Sequence, residues 1–206
     1  MLRIFIIAVV VLGSGAYLYF YQFWPRRHDH AGSIRIKADR SFPIFYRYLQ
    51  ISTPCYAAYC VAHPYLPWRE WVAWNGLSVS VGAILLFIWS MLSLRDQYSH
   101  CFDSFVSNSL VARGPYALIR HPIYVANCLM LAGLFFATAS WGVLVNAGIL
   151  GVFYYRAACR EEAALMRHLP GYRQYIGETG RFLPRLRRSS ISEPLGRRPR
   201  EQARAA

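Results

Sequence analysis

Two polar stretches in the second half of the chain contain residue types that together could line a ligand pocket. In the first stretch an arginine–histidine pair lies between two tyrosines, and in the second an arginine precedes two adjacent glutamates. These residues are Tyr116, Arg120, His121 and Tyr124, then Arg156, Glu161 and Glu162. Arginine and histidine can bind a carboxylate, glutamate can bind an ammonium group, and a tyrosine ring can face a cation. Both stretches adjoin apolar segments, where polar groups are costly unless they bind something, so the pattern predicts a site at a membrane face.

Length and composition favour a membrane protein of a single domain. The chain has 206 residues, of which 55% are hydrophobic, and a formal net charge of +13. The apolar residues come in long blocks, which is typical of membrane-spanning helices. Many arginines follow the last of these blocks. A basic segment beside apolar helices indicates the cytoplasmic face of a membrane and its anionic lipids, and we therefore expect lipid contacts and no nucleic-acid partner.

Cysteine and histidine usage does not predict a metal centre. The five cysteines are odd in number and none lies at C-x-x-C spacing, so neither a disulfide framework nor a zinc site is indicated. The sequence His28-Asp29-His30 could ligate a metal, but no further ligands lie near it. A structural site normally needs four ligands, and we interpret this stretch as a solvated loop.

Five apolar blocks predict the helices that position the polar stretches, because about 20 apolar residues span a bilayer. The blocks are 2–24, 42–63, 71–94, 123–139 and 142–155. The block 42–63 is the least regular, since Pro43, Arg47 and Pro54 interrupt it. Arg47 is interpreted as a side chain reaching the membrane interface, with contact to a substrate cavity as the alternative.

The last two apolar blocks form a helical hairpin, because only Ser140-Trp141 separates them. Both carry small residues that allow helices to pack closely in lipid. From Arg156 the pattern becomes amphipathic until Pro170-Gly171 ends it. The predicted fold is all-α: a polytopic membrane protein of about five transmembrane helices, with a C-terminal cytoplasmic amphipathic helix that covers the pocket.

Basic residues assign an orientation to these helices. With the N-terminus outside, the loop 25–40, the connection 95–121 and the arginine-rich tail all lie inside, and the loops left outside carry almost no basic residues. This arrangement agrees with the positive-inside rule at every loop. It predicts a multi-pass integral membrane protein whose two polar stretches both face the cytoplasm.

Several motifs occur in a fixed order over residues 94–184. They are Gly114-Pro115-Tyr116, Arg120-His121-Pro122-Ile123-Tyr124, Glu161-Glu162, Gly171-Tyr172-x-x-Tyr175 and Arg181-Phe182-Leu183-Pro184. Their order and spacing resemble the isoprenylcysteine carboxyl methyltransferase family, a group of integral-membrane methyltransferases related to the phospholipid methyltransferases. The resemblance divides the chain into 1–93, helices on the acceptor side; 94–184, the cofactor-binding region; and 185–206, a basic tail expected to be disordered.

The resemblance implies S-adenosyl-L-methionine as methyl donor, bound in a helical pocket rather than a Rossmann site. The lining that it implies for the cofactor site begins at Asn108 and Ser109 and continues through the residues assigned to cofactor binding. Those are Leu110, Val111, Tyr116, Arg120, His121, Pro122, Ile123, Tyr124, Glu161 and Glu162. In the family, an arginine that comes shortly before the glutamate in the sequence lies near the substrate. Arg156 with Glu161 is the candidate catalytic pair, and Arg160 is the alternative because Arg156 lies five residues ahead of Glu161.

By this resemblance the chain is an S-adenosylmethionine-dependent, isoprenylcysteine O-methyltransferase-like enzyme. Its acceptor would be a lipophilic small molecule or a lipidated molecule with a carboxylate, amine or thiol. A carboxylate or thiolate would need little general-base help, whereas an amine must first lose a proton. Two alternatives stay open: an NADPH-dependent, sterol-reductase-like membrane enzyme, which shares an Arg-His-Pro-x-Tyr element, and a non-catalytic membrane accessory protein. Individually, the polar residues could also be a helix start, interfacial tyrosines and a solvated glutamate face.

Overall fold

The computed structural model describes residues 1–22, 34–35, 51–52, 54–56, 58–59, 70–94, 105–106 and 110–185. The helices are α1 (Leu2–Gln22), α2 (Glu70–Leu94), α3 (Pro122–Thr138), α4 (Trp141–His168) and α5 (Tyr172–Glu178), with a 3-10 turn at Gly114–Ala117. Two-residue strands β1 (Ile34–Arg35) and β2 (Phe105–Val106) pair antiparallel. The described part is thus mostly helical, as predicted, with one short strand pair that an all-α fold does not include.

The predicted hairpin is present as α3 and α4. Ala139 ends α3 in the left-handed conformation, with a φ of 53°. The hydroxyl of Ser140 then caps α4 by accepting a hydrogen bond from the Val143 amide at 3.5 Å. Two residues therefore reverse the chain, and the N-terminus of α3 lies at the same end of the bundle as the C-terminal part of α4.

Helix α4 is longer than its apolar part. It continues without a break from the apolar residues into the amphipathic stretch after Arg156, and it ends at His168. Gly171, with a φ of 83°, then starts the seven-residue α5. The amphipathic stretch is thus the last three turns of a hairpin helix, and α5 is the separate helix that follows it.

The closest helix contact is between α2 and α3 rather than within the hairpin. A Cβ at Gly133 would lie 2.5 Å from the carbonyl oxygen of Gly76, and one at Gly76 would lie 2.6 Å from that of Gly133. The buried Ser80 hydroxyl donates across the contact to the Met130 carbonyl at 3.2 Å. In contrast, Gly148 and Gly151 of α4 have open space at their Cβ positions. Small residues therefore bring α3 against α2.

The core lies where the four longer helices meet. Buried aliphatic side chains from each of them form one cluster, which includes Ile6, Leu77, Leu131, Val143 and Leu150. The outer faces carry large exposed apolar side chains instead. Examples are Trp71, Leu85 and Trp89 of α2 and Trp141 and Val152 of α4. Such a surface is rare on soluble monomers and suits contact with lipid.

By length and composition, α2 and α4 are the two described helices that could cross a membrane, and the apolar parts of α1 and α3 are shorter. These helices support association with a membrane. The predicted block 42–63 lies mostly outside the described residues, as does the tail after Arg185. The five-span topology, its orientation and the division of the chain stay predictions.

Candidate functional site

The Arg120–His121 stretch is positioned between the end of α2 and the start of α3. Gly114 has a φ of +58°, and a Cβ there would lie 2.5 Å from the Ser93 hydroxyl. The side chain of Arg113 donates to the Ser93 carbonyl at 3.2 Å. Pro122 occupies the first turn of α3, where its missing N–H is no loss. The stretch is therefore fixed at both of its ends.

Residues 179–182, here called the C-terminal strap, pair with this stretch. Ile119 and Gly180 form a parallel bridge. The amide of Arg120 donates to the Gly180 carbonyl at 2.8 Å, and the amide of His121 donates to the Arg181 carbonyl at 3.2 Å. The ring of Phe182 lies 5.8 Å from that of His121, centroid to centroid. The strap thus covers the backbone of the site at the start of α3.

Glu162 is the centre of a buried ionic cluster. It is 3% exposed, and its Oε1 accepts from Arg120 Nε at 2.8 Å and faces His121 Nε2 at 3.1 Å. Arg181 donates from Nη2 to Oε2 at 2.7 Å and from Nε to both carboxylate oxygens at 3.1 Å. The hydrogen bonds to Glu162 raise the pKa of Arg181 above its ordinary value. This carboxylate is saturated by contacts within the protein.

Arg120 also forms its hydrogen bonds with groups of the protein itself. Besides Glu162, its Nη1 donates to the carbonyls of Thr179 and Ile176, the latter at 3.4 Å. These carbonyls lie at the C-terminal end of α5, where a cation is favourable. The expectation that Arg120 meets a cofactor carboxylate stays a prediction, and it would require a change of partners.

Glu161 has a different environment from Glu162. Its side chain is 19% exposed, and its Oε2 lies 3.7 Å from His121 Nδ1. Among the described residues, Tyr124 is the donor of a hydrogen bond to it. Because a carboxylate has about four lone-pair positions, Glu161 keeps acceptor capacity that Glu162 lacks.

Stacked rings fix the donor to Glu161. The Tyr124 ring lies between those of His121 and Tyr154, with centroid distances of 5.2 and 4.7 Å and interplanar angles of 3° and 10°. Asn127 holds Tyr154 in turn by donating to its hydroxyl at 3.0 Å. Tyr124 therefore has little freedom to rotate away from Glu161.

Helix α5 is attached to the site by its tyrosines. The Tyr175 hydroxyl donates to the Tyr116 carbonyl at 2.6 Å. Burial raises the pKa of Tyr175 to about 12 and also raises that of Tyr172, so both hydroxyls stay protonated donors at neutral pH. The buried Tyr116 thus contributes its backbone carbonyl to the attachment of α5.

The remaining predicted residues differ in how deeply they are buried. Pro122 is buried and Ile123 is half-buried against the core, whereas Leu110 is exposed and Val111 half-buried ahead of the 3-10 turn. Asn108 and Ser109 lie outside the described residues. The structure thus brings Arg120, His121, Tyr124, Glu161 and Glu162 together.

Arg156 and Arg160 are both exposed on α4. In a helix Arg156 is rotated by about 140° from Glu161 and Arg160 by about 100°, so neither shares the face of that glutamate. The buried Ala157 and Ala158 occupy the positions one turn before Glu161. A substrate-side role for either arginine stays a prediction.

Sequence reasoning placed Arg181 and Phe182 in one of the ordered motifs but did not predict the ion pair between Arg181 and Glu162. The ordered motif at 181–184 was the available signal, but nothing in the sequence indicates which acid Arg181 contacts. Within the described ranges, no group of three or more histidine, cysteine or acidic side chains could hold a metal ion.

Comparison with known proteins gives two kinds of match. The family described as phospholipid methyltransferase matches residues 71–172, from α2 to the first residue of α5. The cobalt-zinc-cadmium resistance protein CzcN of Cupriavidus metallidurans is 38% identical over 81 residues, which are 39% of this chain and 38% of that protein. The nickel-cobalt-cadmium resistance protein NccN of Alcaligenes xylosoxydans xylosoxydans is 36% identical over 81 residues, with the same coverage. The chain thus spans less than two fifths of the relatives it matches.

Proposed function

Because residues 71–172 belong to the phospholipid methyltransferase family, we propose that this protein is a membrane methyltransferase that uses S-adenosyl-L-methionine to methylate a lipophilic acceptor. The observation that supports it best is that the family region contains both predicted polar stretches and that these meet at one end of the helical bundle. Residues 42 positions apart, Arg120 and Glu162, are in direct contact there.

The side chains around Glu161 suit the donor chemistry of this cofactor. Glu161 is partly exposed, and it retains acceptor positions for an ammonium group or ribose hydroxyls. Both faces of the Tyr124 ring are covered by His121 and Tyr154, so Tyr124 contributes through its hydroxyl rather than by offering a ring face to the sulfonium or adenine. When bound, S-adenosylmethionine supplies an electrophilic methyl group.

The chain's own contribution is binding and orientation. Tyr124 holds Glu161 in place, and the rings of His121 and Tyr154 hold Tyr124. The burial of His121 and Glu162 keeps water away from one side of the site. Methyl transfer needs an aligned acceptor and a dry pocket more than a protein nucleophile.

The acceptor enters from the bilayer in this proposal, and the site faces the cytoplasm of a multi-pass protein. The exposed apolar surfaces of α2 and α4 are compatible with a hydrophobic acceptor that moves along the helices. Its reacting group is a carboxylate, an amine or a thiol. The isoprenylcysteine-type carboxylate is one member of this set.

The test is isothermal titration of S-adenosylmethionine and S-adenosylhomocysteine into the detergent-purified full chain. We expect micromolar binding by wild type and a loss of about tenfold or more in Glu161→Gln, because a charge-assisted hydrogen bond is lost. His121→Ala should also weaken binding, since it removes one of the two rings that hold Tyr124.

Glu178→Gln is the matched control, because Glu178 is an exposed glutamate of α5 whose carboxylate pairs with Gln174. It should bind like wild type. Folded wild type that binds neither compound would contradict the proposal. Stabilisation by NADPH alone would then favour the reductase alternative, and stabilisation by none of the three would favour a non-catalytic protein.

The names of the two relatives support a second function at the level of the cell. Both are named for resistance to cobalt and cadmium together with zinc or nickel. We infer that methylation by this protein contributes to tolerance of such divalent cations, through a change in a membrane component.

Growth of a gene-disrupted host in graded cobalt, cadmium and zinc tests this second function. Complementation with wild type should restore growth, and complementation with Glu161→Gln should fail although the variant protein accumulates. Equal growth with and without the gene at every concentration would exclude this function and leave the methyltransferase proposal to the binding test.

A further inference from the structure

Three segments that are distant in sequence meet at one carboxylate. Arg120 comes from the start of α3, Glu162 from α4 and Arg181 from the C-terminal strap. Arg181 is 19 residues from Glu162 and donates to both of its oxygens. The planar guanidinium suits such bidentate contact with a carboxylate, which fixes orientation as well as distance.

Further contacts of Arg181 hold it in this orientation. Its Cζ lies 5.6 Å from the ring centroid of Tyr155, and its Nη1 donates to Cys159 Sγ at 3.4 Å. Tyr155, Cys159 and Glu162 all belong to α4. Arg181 therefore attaches the strap along about two turns of α4 rather than at one point.

The strap also contacts His121, whose ring stacks on Tyr124, the residue that donates to Glu161. Its carbonyls accept from the amides of Arg120 and His121, and its Phe182 ring contacts the His121 ring. His121 stacks on Tyr124, which donates to Glu161. An unbroken series of contacts thus leads from Arg181 to the ligand-facing carboxylate.

We propose that Arg181 is a positioning residue: by holding Glu162 it docks the C-terminal strap onto His121, and it thereby keeps Tyr124 and Glu161 in the geometry that binds the cofactor. The two adjacent glutamates then have separate roles. Glu162 organises the site from within, and Glu161 contacts the ligand. The effect on ligand binding rests on the proposed methyltransferase function, whereas the docking of the strap does not.

The first measurement is hydrogen–deuterium exchange of the full chain in detergent without ligand. Arg181→Gln should increase exchange at the amides of Arg120 and His121, whose hydrogen bonds depend on the docked strap. Exchange in the middle of α2 and α3 should stay as in wild type. A purely structural role would instead raise exchange in all the helices.

The second measurement is the affinity of the same proteins for S-adenosylmethionine. We expect Kd to rise about tenfold in Arg181→Gln, which is the lower end of the effect seen when a residue that orients a metal ligand is removed. Arg181→Lys should recover part of the lost affinity, because lysine keeps the positive charge but cannot form the bidentate contact of a guanidinium.

Arg185→Gln is the matched control for both measurements. Arg185 is a nearby arginine that is exposed and bonds the carbonyls of Ile176 and Gly177, at 3.0 and 2.6 Å. The Arg185→Gln variant should show the same hydrogen–deuterium exchange and the same affinity for S-adenosylmethionine as wild type.

Wild-type exchange at Arg120 and His121 in Arg181→Gln would overturn the proposal, whatever the affinity. Faster exchange with an unchanged Kd would overturn the link to the ligand. If wild type binds no S-adenosylmethionine, the methyltransferase proposal fails, and the exchange result alone decides whether Arg181 docks the strap.

Discussion

The α2–α3 contact and the ionic cluster at the start of α3 hold the same helix by opposite means. At the contact, Gly76 and Gly133 let two backbones approach, and the polar contribution is the hydroxyl of Ser80. In the cluster, Glu162 is surrounded by two guanidinium groups and a histidine ring. Packing therefore fixes the position of α3, whereas charge fixes the orientation of the polar side chains at its start.

The largest expected effect comes from removing the charge at the centre of the cluster. Glu162→Gln would leave the buried Arg120 side chain and the partly exposed Arg181 without a carboxylate, and breaking a buried pair costs about 3–5 kcal/mol of unfolding free energy. Denaturant unfolding in detergent measures it. Glu178→Gln, on the exposed face of α5, should change the value by less than about 0.5 kcal/mol. Equal stability of the two variants would mean that charge does not hold this region together.

A methyl group at the centre of the α2–α3 contact has the next largest effect. Gly133→Ala would place Cβ 2.5 Å from the Gly76 carbonyl oxygen, so the helices must separate, at a cost of about 1–3 kcal/mol. The same unfolding measurement applies. Gly148→Ala is the control, because its Cβ meets open space and alanine favours a helix by about 1 kcal/mol. A Gly133→Ala protein more stable than wild type would show that the contact is loose.

The smallest effect concerns the attachment of α5 to the cluster. Tyr175→Phe loses the hydrogen bond to the Tyr116 carbonyl, which contributes about 1 kcal/mol. Burial raises the pKa of Tyr175 from its ordinary value of 10.0 to about 12, so the folded protein retains the phenolic proton more tightly than the unfolded chain. The stability from this group is complete below about pH 10 and is lost as the pH rises toward about 12.

Unfolding curves of wild type and Tyr175→Phe at several pH values measure this difference. Wild type should exceed Tyr175→Phe in unfolding free energy by a constant amount from pH 7 to about pH 10, and this difference should then decrease. A difference that increases above pH 10 would mean that ionised Tyr175 is stabilised in the folded protein.

The sequence determined much of the architecture because its signals are local. Apolar runs predicted α2 and the α3–α4 hairpin, and Ser140-Trp141 is the short connection that only a hairpin allows. Pro170-Gly171 marked the end of α4 correctly, since Gly171 adopts a positive φ there. The motif residues also indicated a relation to the phospholipid methyltransferases, and the model of that family matches residues 71–172.

Only the tertiary structure decided which partner each polar group has. Sequence alone assigned both Glu161 and Glu162 to cofactor binding, because adjacent residues of a helix differ by about 100° in direction and nothing local tells which one faces the interior. It left Arg181 without a partner, because an ion pair across 19 residues depends on how the strap docks. It also did not predict that Gly76 packs against Gly133, because this contact depends on the register between two helices. Periodicity within one helix fixes its faces, but register and charge pairing between helices arise only when they pack.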